Sequence, residues 1–219
     1  TIREISSIRN CLTTNATKVL MCSLVLSRLD YCNSLLYGSD RKLTDRLQRV
    51  QNAAAKLVFR KKKSDHVTPL LIDLHWLPIE ERIAYKVACM CFSAMFDNGP
   101  NYLNDLLTRY VNPSRYELRS RMDTRTLSAP NTNNVTLGDR SFSAAAAAVW
   151  NSLPHDLRHC DSKESFRRAL KTYLFQRAFW LLAMTDADCM IKPSDFDAIL
   201  LYHGASRLYA CLVILICDV

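Results

Sequence analysis

The apolar residues Leu43, Leu47, Val50, Ala54, Leu57 and Val58 recur at steps of four and three, and no other feature of the chain restricts its fold so strongly. A strand would bring apolar side chains to one face at every second position, whereas this spacing lines them along one side of an α-helix. Ser39 and Asp40 stand where such a helix would begin. A helix with a single apolar stripe must bury it against other elements, so the chain has to supply partners.

Composition makes those partners helical. Among 219 residues there are only 4 glycines, few for a β-rich fold or for a phosphate-cradling loop, while 49% hydrophobic and 23% charged residues fall in the globular range. Ala16, Val19, Leu20, Leu26, Leu29, Leu35 and Leu36 predict one long buried helix over residues 15–37, stopped by Gly38. Its end, "LDYCNSLLYG", sets an acid, a phenol, a thiol and an amide side by side. Neighbours on a helix point about 100° apart, so Asp30, Tyr31, Cys32 and Asn33 cannot converge on one substrate atom.

Further along, Thr68 and Pro69 predict the cap and first turn of a short helix that "HWLP" ends. Pro78 opens another through Ile79, Ile83, Val87, Met90, Cys91 and Met95, stopped by Asn98-Gly99-Pro100, and Tyr102, Leu103, Leu106 and Leu107 predict one more. Residues 111–138 turn irregular, with Pro113, Pro130 and scattered Ser, Thr and Asn; short strands near 126–129 and 134–137, one β-hairpin, are expected there. "DRSFSAAAAAVWNSLP" returns to helix until Pro154, and Asp161 followed by Glu164 predicts the cap of a last helix with Phe166, Ala169, Leu170, Tyr173 and Leu174 on its buried face.

Charge is uneven. The chain carries 29 Lys and Arg against 21 Asp and Glu, a net +8. Residues 179–219 hold two of the basic and five of the acidic groups, which leaves the first 178 residues at +11. A basic body invites a polyanion, nucleic acid first and anionic membrane second. Nine cysteines, an odd number without a secretory signal pattern, argue for reduced thiols and an intracellular protein, nuclear or cytoplasmic. The longest apolar run, "LYACLVILIC", falls well short of the roughly 20 residues that cross a bilayer, so no membrane partner is expected.

Within the 43–58 helix the cations fall into register. Taking Lys42 as zero, Arg46, Arg49, Lys56 and Arg60 lie at about 40°, 340°, 320° and 0°, beside an apolar set at about 60–160°. Lys61, Lys62 and Lys63 continue the stripe, so these eight residues form the candidate nucleic-acid-binding surface; the competing reading is a solvated helix face. Lys163, Arg167, Arg168, Lys171 and Arg177 are diluted by Asp161 and Glu164 and read better as solvated. Arg109, Arg115, Arg119, Arg121 and Arg125 could reach phosphates from a loop.

Reaction chemistry is harder to find. His155, His159 and Cys160 are a weak metal signal without a paired C-x-x-C, and no metal or cofactor is expected. There is no G-x-S-x-G elbow, P-loop, H-E-x-x-H pair or dinucleotide fingerprint, and Glu80-Glu81, Asp186 and Asp188 lack a partner for acid–base work.

The motifs "SRLDYCNSLLYG", "TDRLQRVQNAAAKLVF", "HVTPLLIDLHWLPIEERIAYKV", "YLNDLL", "GDRSFSAAAAAVWNSLP" and "SFRRALKTYLF" follow one another in an order and spacing that resembles the C-terminal part of non-LTR (LINE-type) retrotransposon reverse transcriptases, the jockey-like and allied groups most closely. The resemblance covers about residues 1–179; the tail from Trp180 departs from it, which fits translation past the family's usual end or fusion to unrelated sequence. It implies a thumb and downstream helical region that follows the polymerase palm. The palm's catalytic Y/F-x-D-D carboxylates and the family's endonuclease have no counterpart here, so the chain is expected to be non-catalytic. The expected architecture is mainly α, with a thumb-like helical region over 1–65, a second helical region over 66–178 and a divergent tail over 179–219. The implied partners are the backbone of an RNA or DNA template-primer duplex and a reverse transcriptase palm domain. The rival from another class is a structural or protein-interaction remnant of a mobile element, in which acids packed from elsewhere would neutralise the basic stripe.

Overall fold

Helices supply nearly all the regular structure in the computed structural model, which describes residues 1–97, 99–110, 125–130, 138 and 140–185. The fold is mainly α, as expected. Among the described residues the β feature is an isolated antiparallel bridge between Arg109 and Leu127. In place of the strand expected near 126–129, that segment makes this isolated bridge to residues 108–110: the Tyr110 amide donates to the Thr126 carbonyl at 3.0 Å and the Ser128 amide to the Thr108 carbonyl at 2.8 Å. Its expected hairpin partner at 134–137 lies outside the described residues, as do residues 111–124 and 186–219.

The chain gathers into two compact units whose segments interleave. Among the described residues the first comprises residues 1–31, 45–79 and 176–185; the second comprises residues 32–44 and those between 80 and 175. The boundary expected near residue 65 falls inside the first unit.

In the first unit, α1 (Ile2–Ser7) and a 3-10 turn (Arg9–Cys11) lead to α2 (Thr14–Met21). The Thr13 hydroxyl caps α2 by accepting from the Ala16 amide at 3.2 Å. α2 passes through a π turn, Cys22–Leu26, into α3 (Ser27–Asp30). Ser23 and Ser27 hydroxyls donate back to the carbonyls of Val19 and Ser23, a side-chain competition that bends helices. The single helix expected over 15–37 therefore ends at Asp30: Tyr31 is extended (ψ 119°) and Cys32 left-handed (φ 51°). Burial follows this break, with Met21 and Val25 in the core and Leu35, expected inward, 71% exposed. α4 (Arg41–Val58), from Asp45 on, and α5 (Thr68–Leu74) complete this unit with the turn that leads into α6 (Ile79–Phe96). Thr68 is the first residue of α5 with no side-chain cap, so proline-fixed backbone geometry, and not a hydroxyl, starts that helix.

The second unit holds the body of α6, then α7 (Asn101–Asp105), α8 (Phe142–Asn151), α9 (His155–Arg158) and α10 (Lys163–Thr185) as far as Phe175. Its centre is aromatic: Phe92 stacks on Phe166 with ring centroids 4.5 Å apart, and Trp150 lies 5.7 Å from Phe166 and 6.2 Å from Phe96. Gly99 is required where the chain leaves α6, because a Cβ there would meet the Ser93 carbonyl oxygen at 2.7 Å. α10 is capped by Ser162 in place of the expected Asp161; its hydroxyl accepts from the Ser165 amide at 3.2 Å.

Candidate nucleic-acid interface

α4 carries the candidate surface, and its inner face explains how it is held. Thr44, Gln51, Ala54, Ala55 and Val58 are buried. On the wheel that sets Lys42 at zero they lie at about 120–220°, centred opposite the cations. The expected apolar stripe was thus rotated from the real one: Leu43 and Val50, counted in it, are each 38% exposed, and the basic stripe opposes the buried face instead of bordering it. The glutamines account for the difference. Gln51 is fully buried and its amide donates to the Leu77 carbonyl at 2.8 Å. Gln48 donates to the Gln51 side-chain oxygen at 3.0 Å and to that of Asn52 at 2.7 Å, and its own oxygen accepts from the Ile79 amide at 2.9 Å. Three amides in "LQRVQN" thereby fix the "WLP" turn and satisfy a free N–H at the start of α6.

The other end of α4 is closed by arginines. Arg9, 5% exposed, donates to the carbonyls of Leu57 (2.9 Å), Val58 (2.7 Å) and Leu12 (2.7 Å). A cation on the last helical carbonyls satisfies acceptors without an intrahelical partner and complements the helix dipole. Burial, and then the charge of Arg60, lower the Arg9 pKa. Nothing in the sequence marks Arg9, which stands alone among polar residues.

Arg60 is off the helix. It is left-handed (φ 53°), its amide donates to the Leu57 carbonyl at 3.3 Å and the next amide, of Lys61, to the Lys56 carbonyl at 2.9 Å, the double bond pattern that commonly ends a helix on glycine. Its guanidinium donates to the Arg9 carbonyl at 3.3 Å. Beyond it, the Lys62 amide donates to the Asp65 carboxylate at 2.8 Å and the Lys56 ammonium to the Lys63 carbonyl at 2.6 Å, so one helical cation is tied to the following basic turn.

Lys42, Arg46, Arg49, Arg60, Lys61, Lys62 and Lys63 are exposed and Lys56 half-buried. Lys42 sits in the first turn of α4, in the second unit; the other seven lie in the first. Among the described residues none of the eight makes an ion pair.

Several of the other candidates are engaged within the fold, while Arg168 is exposed, as a solvated face would be. Arg125 lies 4.6 Å over the Phe96 ring and donates to the Arg158 carbonyl at 2.8 Å. Lys163 pairs with Asp97 at 2.8 Å, and Arg167 meets Tyr85 and Cys89 in place of bulk solvent. Arg115, Arg119 and Arg121 lie outside the described residues. His155 and His159 stack with ring centroids 3.9 Å apart, and no group of three or more His, Cys, Asp or Glu among the described residues could hold a metal ion.

The thiols of α6 give the fold a pH signature. Burial raises Cys89 to about 11 against the opposing charge of Arg167, and raises Cys91 to about 12. An unfolded thiol loses its proton first, so the stability these groups contribute is complete below the unfolded value of 9.0 and is lost as pH climbs through 11 to 12. Against a Cys89→Ala/Cys91→Ala variant, the wild-type chain should lose an extra amount of order 1 kcal/mol per thiol across that window in urea titrations. Parallel curves would refute the assignment.

No helix among the described residues is long and apolar enough to cross a membrane. Compared with protein-family models, with curated proteins and with solved structures, the chain matches none.

Proposed function

We propose that the chain grips the phosphate backbone of a nucleic-acid duplex through Arg46, Arg49, Lys56, Arg60, Lys61, Lys62 and Lys63, and that it serves as the non-catalytic, thumb-like part of a LINE-type reverse transcriptase beside a palm domain. One observation carries this reading: Arg46, Arg49 and the half-buried Lys56 lie on the side of α4 opposite its buried face, exposed Arg60–Lys63 follow in the turn beyond, and none of the seven is in an ion pair among the described residues. Packing acids against them would have stabilised a merely structural helix; unpaired, they repel one another and favour a polyanion. The backbone is the natural target because a row of Lys and Arg on a helix side reads phosphate and leaves bases unread. Such a role fits an intracellular, nucleic-acid-containing compartment.

The full chain should bind a labelled RNA–DNA duplex with a slope of log K against log salt of about −4 to −5 if five phosphates are neutralised. An Arg46→Gln/Arg49→Gln/Lys56→Gln variant, with its helical circular dichroism unchanged, should flatten that slope by about 3. Equal and weak binding by both would leave a structural or protein-interaction helical remnant as the better reading.

A further inference from the structure

We infer that Ser64 is a phosphorylation site for an ATP-dependent protein kinase with an acidic substrate groove, and that its modification releases nucleic acid from the basic surface; the release half rests on the grip proposed above. Ser64 is exposed in the irregular connection between α4 and α5, where residues 60–64 are all exposed. A kinase needs an irregular segment that it can draw out; around Ser64 the bonds to be opened are those between Lys62 and Asp65 at 2.8 and 3.2 Å and that from the Lys56 ammonium to the Lys63 carbonyl at 2.6 Å, and drawing Arg60 and Lys61 out as well would open the last turn of α4. The four residues before the hydroxyl are Arg60, Lys61, Lys62 and Lys63, an unbroken cationic lead that an acidic groove would bind in extended form.

The modification would act where it is placed. The Ser64 Oγ forms a bond to the γ-phosphorus of ATP, the bond from that phosphorus to the bridging oxygen of ADP breaks, and the hydroxyl proton passes to the base of the kinase. The product brings about two negative charges next to Lys63, whose carbonyl already holds the Lys56 ammonium at 2.6 Å. Lys56, Arg60, Lys61, Lys62 and Lys63 against Asp65 sum to +4, so a phosphate of about −2 halves the local charge. Two fewer counterions released should weaken duplex binding on the order of 50-fold at a tenth-molar salt and flatten the salt slope by about 2. A phosphate there competes for the same ammonium and guanidinium groups that would hold the backbone, as a built-in decoy.

The test treats the full chain and its Ser64→Ala variant with a basophilic kinase and ATP, maps phosphate by mass spectrometry and measures duplex binding before and after. Stoichiometric phosphate on Ser64, with weakened binding in the wild type and unchanged binding in the variant, is the expected result. Phosphate found only at other positions, or on Ser64 without loss of binding, overturns the inference while leaving the grip intact. Failure of the untreated chain to bind duplex removes the grip instead, and the switch with it, whatever Ser64 accepts.

Discussion

Arg9→Met is expected to cost about 3 kcal/mol in the urea unfolding of the first unit. The substitution keeps the apolar stem and removes the guanidinium, so most of the loss comes from the hydrogen bonds it made. Three carbonyls, of Leu12, Leu57 and Val58, lose a charged donor at 2.7–2.9 Å in a site that is buried or part-buried. Each acceptor left without a partner costs about 1–3 kcal/mol, although the three are not additive. Arg9→Lys should recover part of the loss, since an ammonium keeps the charge at the helix end but cannot fork between Leu57 and Val58. A midpoint for Arg9→Met within error of wild type would mean that α4 needs no such closure.

Trp150→Ala should cost a comparable amount, about 3–5 kcal/mol, in the second unit. The indole is fully buried among Phe92, Phe96 and Phe166, and its N–H donates to the Arg125 carbonyl at 2.6 Å. Beside it, Asn151 brackets Leu127, its amide donating to that carbonyl at 2.8 Å and its oxygen accepting from that amide at 3.0 Å. Trp150→Phe keeps most of the apolar area and removes only the bond to Arg125, so it should cost about 1–2 kcal/mol. Thermal unfolding of the two variants separates the contributions: equal losses would mean that the hydrogen bond, and not the packed ring, carries the effect.

The helices of this chain were legible where one period ran without interruption. α4 and α6 follow from spacing and from Pro78 and Gly99 at their boundaries. The break at Tyr31–Cys32 was not legible, because Leu35 and Leu36 continue an apolar pattern that the chain does not bury as a helix face. The candidate surface was legible as charge but misplaced in azimuth. Leucine and valine spacing alone points to a face that includes Leu43 and Val50, whereas the buried side of α4 is shared by Gln51 with Ala54, Ala55 and Val58. Centring the stripe on the alanines would have found the true inner face. Arg60 was assigned to the helical row, and only backbone geometry shows it past the helix end. Arg9 could not have been found, since a buried arginine and a surface arginine are the same letter until the carbonyls it serves are known.

The amides of α4 have a consequence for how such a sequence changes over generations. Gln48, Gln51 and Asn52 hold the neighbouring turn from one side of the helix, while Arg46, Arg49 and Lys56 project from the other. Mutations that alter the outward row therefore leave the inward hydrogen bonds in place, and affinity can drift, strengthen or vanish without unfolding the chain. A lineage that lost its ligand would keep "Q-x-x-Q-N" and scatter its cations, whereas one still under selection for holding a polyanion would keep both.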